Sequence, residues 1–184
     1  VPEKDAFVTT LEKWGVTNHS RIVAYDDANV AFAARLWWMM RWVGHANVTV
    51  LEGGLMAWKA ADFTTDAAMP QPVPSQFTPT SSISKTIDAD DLLNCGHFII
   101  DARDQERFDG KVEPIDPIAG HIPGAHCLPC MQNLADTMHF NSTHELQLRF
   151  VYAGVIMRTH TSWLRGPRFP SSPQLFALSP SEYP

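Results

Sequence analysis

The chain has 184 residues, of which 45% are hydrophobic and 18% are charged, a composition that supports one ordinary globular domain or two small ones. Its formal net charge is -6, with acids and bases mixed along most of the chain, which argues against nucleic acid as a partner because phosphate contacts need clustered Lys and Arg. No apolar run approaches the roughly 20 residues that span a bilayer, so we expect no membrane-crossing segment.

The cysteine content indicates the redox environment. The three cysteines, Cys95, Cys127 and Cys130, are too few for a disulfide framework in a chain of this length, and their odd number argues against one as well. We therefore expect a reducing cytoplasm. The first residue is Val1 rather than Met, so a targeting segment upstream is left open, as is the oligomeric state.

The chain opens with a helix and a strand. Apolar residues spaced by four and three predict a helix over Lys4–Trp14, which Gly15 ends. The apolar run Ile22–Tyr25 predicts a buried parallel strand, and Asp26 and Asp27 end it.

A strongly apolar helix follows. We expect Asn29 to cap it and the helix to run to about Val43, packed between the sheet and another layer because it is apolar nearly all round. A second strand is expected at Val48–Leu51, and a short helix at Leu55–Ala61. This order of elements is typical of a βαβ unit.

The composition changes between Asp62 and Lys85, where four prolines stand among Ser, Thr and Gln. This pattern predicts an extended interdomain linker, which we place at residues 67–85, after a first unit of residues 1–66.

The pattern then restarts in residues 86–155. Asp88 is expected to cap a short helix, Phe98–Ile100 to form a strand, and a second strand to lie around Cys127, after a long loop. Ser142 and Glu145 have the spacing of a capping box and predict a helix through about residue 152. Residues 156–184 show no convincing period, and we interpret them as a tail of uncertain order.

Three stretches together resemble the tandem rhodanese family, which includes thiosulfate and 3-mercaptopyruvate sulfurtransferases. They are Tyr25–Trp58, Ile100–Phe108 with its Asp-Ala-Arg and Arg-Phe, and Ala119–Ala125 with its Gly-His-Ile-Pro-Gly. The resemblance implies an α/β fold with parallel sheets flanked by helices, in two incomplete tandem domains. The first unit is similar to the back half of the family's first domain, and the second to the front half of its second domain.

The resemblance also implies chemistry. In this family a cysteine thiolate takes sulfane sulfur from a small sulfur-containing anion, thiosulfate or 3-mercaptopyruvate, and passes it to a thiophile; no cofactor is implied. Arg107 matches the arginine with which the family binds the substrate anion, since a guanidinium offers paired donors. The alternative is a solvated surface arginine. The nucleophile needs a loop whose backbone N–H groups point at the sulfur.

The cysteine loop itself is not recognisable. Asp26 fills the loop position of the first domain, and a carboxylate cannot carry a persulfide. In the second domain the loop is expected shortly after Val155, yet no cysteine occurs after Cys130. We therefore assign no catalytic residue and expect little or no sulfur transfer. The alternatives are a non-catalytic rhodanese-like module for binding or regulation, and a truncated non-functional fragment; pairing of its two halves as one permuted domain is left open.

Other conspicuous residues are interpreted as structural. Arg103 is expected to brace its loop through Asp101, and His121 to shape its turn. The Cys-x-x-Cys of Cys127 and Cys130 has no second pair and is interpreted as a coincidence, with no metal assigned. Two further groups are the histidines without metal-ligand spacing and the tryptophans expected in a core or interface: His139, His144 and His160; Trp37, Trp38, Trp42 and Trp58.

Overall fold

The computed structural model describes residues 1–94, 96, 98–136, 139–155 and 162–163, with only the backbone of residues 93–94 and 162–163. The first half contains α1 (Lys4–Lys13), β1 (Ile22–Ala24), α2 (Ala31–Trp42), β2 (Val48–Val50) and α3 (Gly54–Ala60). The second half contains α4 (Ala89–Asn94), β3 (Ile99–Asp101), α5 (Gln105–Phe108), β4 (Ala125–Cys127), a 3₁₀ turn (Cys130–Asn133), α6 (Thr143–Tyr152) and β5 (Ser162–Trp163). Cys95, His160 and most of the predicted tail lie outside the described residues.

The first half forms a two-stranded parallel sheet, in which Ile22 of β1 is opposite Val48 of β2. The main core lies between this sheet, α1 and α2, and its buried members are Phe7, Leu11, Trp38, Met39, Met40, Val43, Val48 and Phe77. The prediction that β1 is buried is wrong on one face, where Val23 and Tyr25 are 59% and 60% exposed. Alternate side chains of a strand point to opposite faces, and the described residues cover only one of them.

The apolar helix α2 is also less enclosed than expected. Trp38 and Met40 are buried, and Trp37 and Trp42 are packed at the edge of the core, whereas Phe32 is 53% exposed. We expected this helix to be packed between the sheet and another layer. Within the described residues, that other layer covers only part of the helix.

The predicted linker crosses the surface of the first half without helix or strand. It is held there because Ser75 Oγ donates to Val16 O at 2.6 Å and the Thr80 amide donates to Val43 O at 3.0 Å. Phe77 of the same segment is 4% exposed and belongs to the first core. This part of the chain is thus a strap on the first half, and the boundary at residues 67–85 stays a prediction.

The second half forms a three-stranded parallel sheet in the order β4-β3-β5. Ile100 of β3 is opposite His126 on one side and Trp163 on the other. The sequence pattern showed no strand after Val155, which is wrong for Ser162–Trp163. Two residues are too few to show a period, and their pairing with β3 defines the strand. Helix α5 and the 3₁₀ turn were also missed, since each is only four residues long.

Helix α6 begins at the predicted capping box. Ser142 Oγ accepts from the Glu145 amide, and Glu145 Oε2 accepts from the Ser142 amide at 2.9 Å. The Asp88 cap is likewise confirmed, because its Oδ1 accepts from the Asp91 amide. Phe150 of α6 packs in the second core, together with Ile100, Leu128 and Val155.

The two halves meet through the segment between the 3₁₀ turn and α6. Leu134 is 8% exposed and packs with Val30 and Ala34 of the first half. The Phe140 amide donates to Glu52 Oε1 at 3.2 Å. The described strands nevertheless remain in two separate sheets, so the hypothesis that the halves pair as one permuted domain is wrong for them.

Candidate functional site

The loop after β1 encloses the carboxylate of Asp26. Its Oδ1 accepts from the amides of Ala28 and Val30 at 3.1 and 3.0 Å. Its Oδ2 accepts from the amides of Phe32 and Ala33, both at 2.8 Å. Four backbone donors thus converge on one anion at the start of α2, where the helix dipole also favours negative charge.

The expected cap at Asn29 is wrong. Asn29 has φ 56° and the following Val30 has φ 68°, so the chain curls back and its amides point to Asp26 instead. A β-branched residue in the left-handed region costs about 1–3 kcal/mol. The hydrogen bonds to Asp26 offset that strain.

The backbone of Asp26 is also fixed from the far side. Its carbonyl accepts from the Leu55 amide at 2.9 Å, and a Cβ on Gly54 would lie only 2.4 Å from the same oxygen. Gly54 therefore allows α3 to approach β1 closely, and the loop is held from both ends.

The second candidate region follows β3 in the other half. Arg103 makes a bidentate contact with Asp101, with a shortest distance of 2.5 Å, and donates to Gly120 O at 2.7 Å. The hydrogen bond and the charge of Asp101 raise the pKa of Arg103. The predicted bracing role of Arg103 is therefore confirmed.

Arg107, the predicted substrate-binding residue, lies in α5 and is 18% exposed. Its Nη2 contacts Glu113 Oε1 at 2.8 Å and Asp116 Oδ2 at 3.2 Å. The guanidinium is thus paired with two of the chain's own carboxylates, and its role toward substrate stays a prediction. The sequence analysis did not single out Glu113 and Asp116, which lie six and nine positions after Arg107 and contact it only because the loop folds back.

Glu113 is the centre of this cluster. It is 5% exposed and accepts from the amides of Ile115 and Asp116 at 3.0 and 2.9 Å, besides its contacts with Arg103 and Arg107. The hydrogen bond from the Asp116 amide, followed by that from Arg107, lowers the pKa of Glu113 to about 2. Glu113 therefore stays ionised and orders the loop around itself.

The two described cysteines are not activated. Burial raises the pKa of both the Cys127 and Cys130 thiols, although nearby amides act in the opposite direction on Cys130. The Cys127 thiol has a weak contact with Arg103 O at 3.8 Å. The thiolate form, which is the reactive form of a cysteine, is therefore disfavoured at both positions.

The remaining candidates are structural. His121 Nδ1 lies 2.8 Å from Phe108 O, and its ring stacks on Phe108 with centroids 3.7 Å apart, as expected for a turn-forming histidine. Within the described residues, no group of three His, Cys, Asp or Glu side chains could hold a metal ion. In the same part of the chain, no helix has the length and apolar character of a membrane span.

Known proteins provide an independent test. Residues 1–61 match the rhodanese-like domain family. A probable 3-mercaptopyruvate sulfurtransferase of Pseudomonas aeruginosa is 41% identical over 155 residues, covering 82% of this chain and 55% of the relative. The 3-mercaptopyruvate sulfurtransferase of Escherichia coli K12 is 30% identical, covering 84% and 57%. The chain thus spans about half the length of the curated relatives it matches.

Solved structures agree with this comparison. The crystal structure of SseA from Escherichia coli, a 3-mercaptopyruvate sulfotransferase with the rhodanese fold, aligns with a TM-score of 0.85 and 27% identity, covering 97% of this chain and 69% of SseA. A 3-mercaptopyruvate sulfurtransferase from Leishmania major aligns with a TM-score of 0.82 and 26% identity, covering 97% and 51%.

The parallel sheets flanked by helices align with these rhodanese-fold structures, so the chain is a rhodanese-fold protein and the predicted fold class is confirmed. The chain belongs to the rhodanese-type sulfurtransferase family of thiosulfate and 3-mercaptopyruvate sulfurtransferases. The domain boundaries and the cytoplasmic location stay predictions.

Proposed function

We propose that the chain is part of a sulfurtransferase of the thiosulfate or 3-mercaptopyruvate type. In this reaction a cysteine thiolate attacks the sulfane sulfur of the donor, releases sulfite or the enolate of pyruvate, and becomes a persulfide. A thiophile such as cyanide or a thiol then takes the outer sulfur and regenerates the thiolate. The names of the relatives from Pseudomonas aeruginosa and Escherichia coli support this reaction class.

The observation that carries the proposal is the position of Arg107 relative to the second sheet. Strands β3 and β5 are parallel neighbours, so the loops that leave their carboxyl ends begin at the same edge of the sheet. Ligands of open parallel sheets bind outside this edge. Arg107, on the short helix α5 that follows β3, is therefore near the place where a nucleophile loop after β5 would begin.

We further propose that this chain alone transfers little or no sulfur. Leu164 and Arg165 follow β5 in the sequence, and no cysteine occurs after Cys130. Asp26 fills the amide-lined loop of the first half and cannot form a persulfide. The raised pKa values of Cys127 and Cys130 disfavour their reactive thiolate forms.

The test is sulfur transfer by the full chain. Thiocyanate is measured with thiosulfate and cyanide, and pyruvate is measured with 3-mercaptopyruvate and a thiol, in each case beside the intact Pseudomonas aeruginosa relative. We expect the chain to show less than about one hundredth of the relative's turnover, because removing a catalytic nucleophile costs several orders of magnitude. Turnover comparable to that of the relative would overturn the proposed inactivity.

A second candidate function is a non-catalytic module for binding or regulation. It is favoured by the observation that both anion-binding arrangements, at Asp26 and at Arg107, are already occupied by carboxylates of the chain. Mass spectrometry after thiosulfate treatment tests the module. An unchanged mass is expected for it, whereas a gain of one sulfur atom on Cys127 or Cys130 would show residual chemistry and contradict it.

A further inference from the structure

The two carboxylates that contact Arg107 are held very differently. Glu113 has donors on two sides, from the arginines and from the amides of Ile115 and Asp116. The described residues give the Asp116 carboxylate one hydrogen-bond donor, Arg107 Nη2 at 3.2 Å. Because Asp116 can leave Arg107 by losing a single hydrogen bond, it is the carboxylate that an incoming anion displaces.

The charges around Arg107 also act on any substrate. Within the described residues, the guanidinium groups of this cluster are outnumbered by its carboxylates, namely Arg103 and Arg107 against Asp101, Glu113 and Asp116. A small anion that binds Arg107 therefore meets a site whose net charge is already negative. Asp116 is the part of this negative charge that lies beside Arg107 without being fixed by backbone amides.

We propose that Asp116 is a specificity-determining residue, which competes with the substrate for Arg107 and penalises dianions more than monoanions. The inference rests on the proposed role of Arg107 in anion binding. Coulomb energy is proportional to the product of the charges, so Asp116 repels dianionic thiosulfate about twice as strongly, in free energy, as a monoanionic 2-oxo acid. The native cluster thereby favours the carboxylate of 3-mercaptopyruvate over thiosulfate.

The test compares two unreactive binding measurements on the full chain, with thiosulfate in the absence of a thiophile and with pyruvate as the 2-oxo acid. Dissociation constants are measured by calorimetry for the wild type, Asp116→Asn and Asp109→Asn. The last variant removes a negative charge from the same loop, but Asp109 pairs with Lys111 at 2.8 Å and not with Arg107. The Asp116 amide that holds Glu113 is kept in Asp116→Asn, so the loop stays ordered.

For Asp116→Asn we expect about tenfold tighter binding of thiosulfate and about threefold tighter binding of pyruvate, as for loss of a partly exposed charge contact. Asp109→Asn should change either constant by less than about twofold. Equal gains for the two anions, or no gain for either, would overturn the specificity role of Asp116.

Arg107→Gln, alone and combined with Asp116→Asn, separates this inference from the proposed function. If Arg107→Gln weakens thiosulfate binding but Asp116→Asn does not alter it, the inference about Asp116 fails and the anion-binding role of Arg107 stands. If Arg107→Gln changes nothing in either background, or if neither the wild type nor Asp116→Asn binds thiosulfate, the role of Arg107 fails and the inference fails with it.

Discussion

The loop around Asp26 and the loop around Arg107 present anion-binding donors in two different ways. In the first, four backbone amides surround one carboxylate. In the second, two arginine side chains and two backbone amides hold Glu113, whereas Asp116 is held by Arg107 alone among the described residues. Backbone donors cannot turn away without unfolding the loop, but side-chain donors can exchange partners. Asp26 is therefore a permanent structural occupant of its loop, whereas Asp116 of the Arg107 cluster can be displaced.

Removal of the Asp26 carboxylate should cause the largest loss of stability. We expect Asp26→Ala to lower the free energy of unfolding by about 3 kcal/mol, because four amides lose a charged acceptor and α2 loses its cap. The hydrogen bonds that offset the backbone strain of Asn29 and Val30 are lost as well. The measurement is urea unfolding followed by tryptophan fluorescence, since α2 carries Trp37, Trp38 and Trp42.

The matched control is Asp27→Ala, at the neighbouring exposed aspartate. It should change stability by no more than about 0.5 kcal/mol. Asp26→Asn should fall between the two, because its single side-chain oxygen can still accept from two of the four amides. If Asp26→Ala and Asp27→Ala were equally mild, the amides would have found other partners, and the contrast with the Arg107 loop would disappear.

The sequence predicted the elements of both regions better than their contacts. The apolar spacing in Lys4–Lys13 and the capping box at Ser142 are local signals, so α1 and α6 were found with nearly correct bounds. The cap of α2 was misassigned to Asn29 because an aspartate several residues earlier can cap a helix only when the intervening chain adopts positive φ values. A valine such as Val30 rarely adopts a positive φ, so the sequence gives no sign of this conformation.

The limits of prediction in the second half have a different cause. Arg107 was singled out by family resemblance, and its role toward substrate stays a prediction. Its partners Glu113 and Asp116 depend on how a proline-containing loop folds back. Strand β5 was missed because its two residues gain their strand character from pairing with β3, a contact distant in sequence. Local patterns therefore predicted the scaffold, and tertiary pairing determined the site.

The next largest change in stability is expected at the contact between Leu134 and the Asp26 loop. Leu134 comes from the second half and packs on Val30, the strained residue of the Asp26 loop. We expect Leu134→Ala to lower the free energy of unfolding by about 2 kcal/mol, at the low end for a buried leucine because its cluster is small. Leu148→Ala, which truncates a 40% exposed leucine on α6, is the control and should cost less than half as much.

If the halves were independent, Leu134→Ala would leave the unfolding of the first half unchanged. Tryptophan fluorescence of α2 is the sensitive readout, because the substituted residue belongs to the other half. An unchanged midpoint in fluorescence, together with a lower midpoint in circular dichroism, would show that the second half does not stabilise the Asp26 loop.

A smaller effect is expected from acid on the Arg107 region. The pKa of Glu113 is lowered from 4.5 to about 2, so its pairing stabilises the fold fully above pH 4.5, and this contribution is lost as the pH falls toward 2. We expect Glu113→Gln to reduce stability at neutral pH and to flatten its decline between pH 4.5 and 2. Glu106→Gln, at an exposed position of α5, is the control. A decline as steep in Glu113→Gln as in the wild type would contradict this assignment.

The smallest expected effect is on the alkylation rates of Cys127 and Cys130, which test whether either cysteine is a reactive thiolate. Burial raises the pKa of Cys127 and Cys130, so both should react with iodoacetamide several-fold more slowly than free cysteine at neutral pH, as followed by peptide mass spectrometry. Thiosulfate should not protect either residue, since the raised pKa of each thiol disfavours the thiolate that would attack its sulfur. Faster alkylation of Cys127 or Cys130, with protection by thiosulfate that Arg107→Gln abolishes, would identify that cysteine as a nucleophile beside Arg107. The Arg107 region would then be a working site rather than one occupied by its own carboxylates.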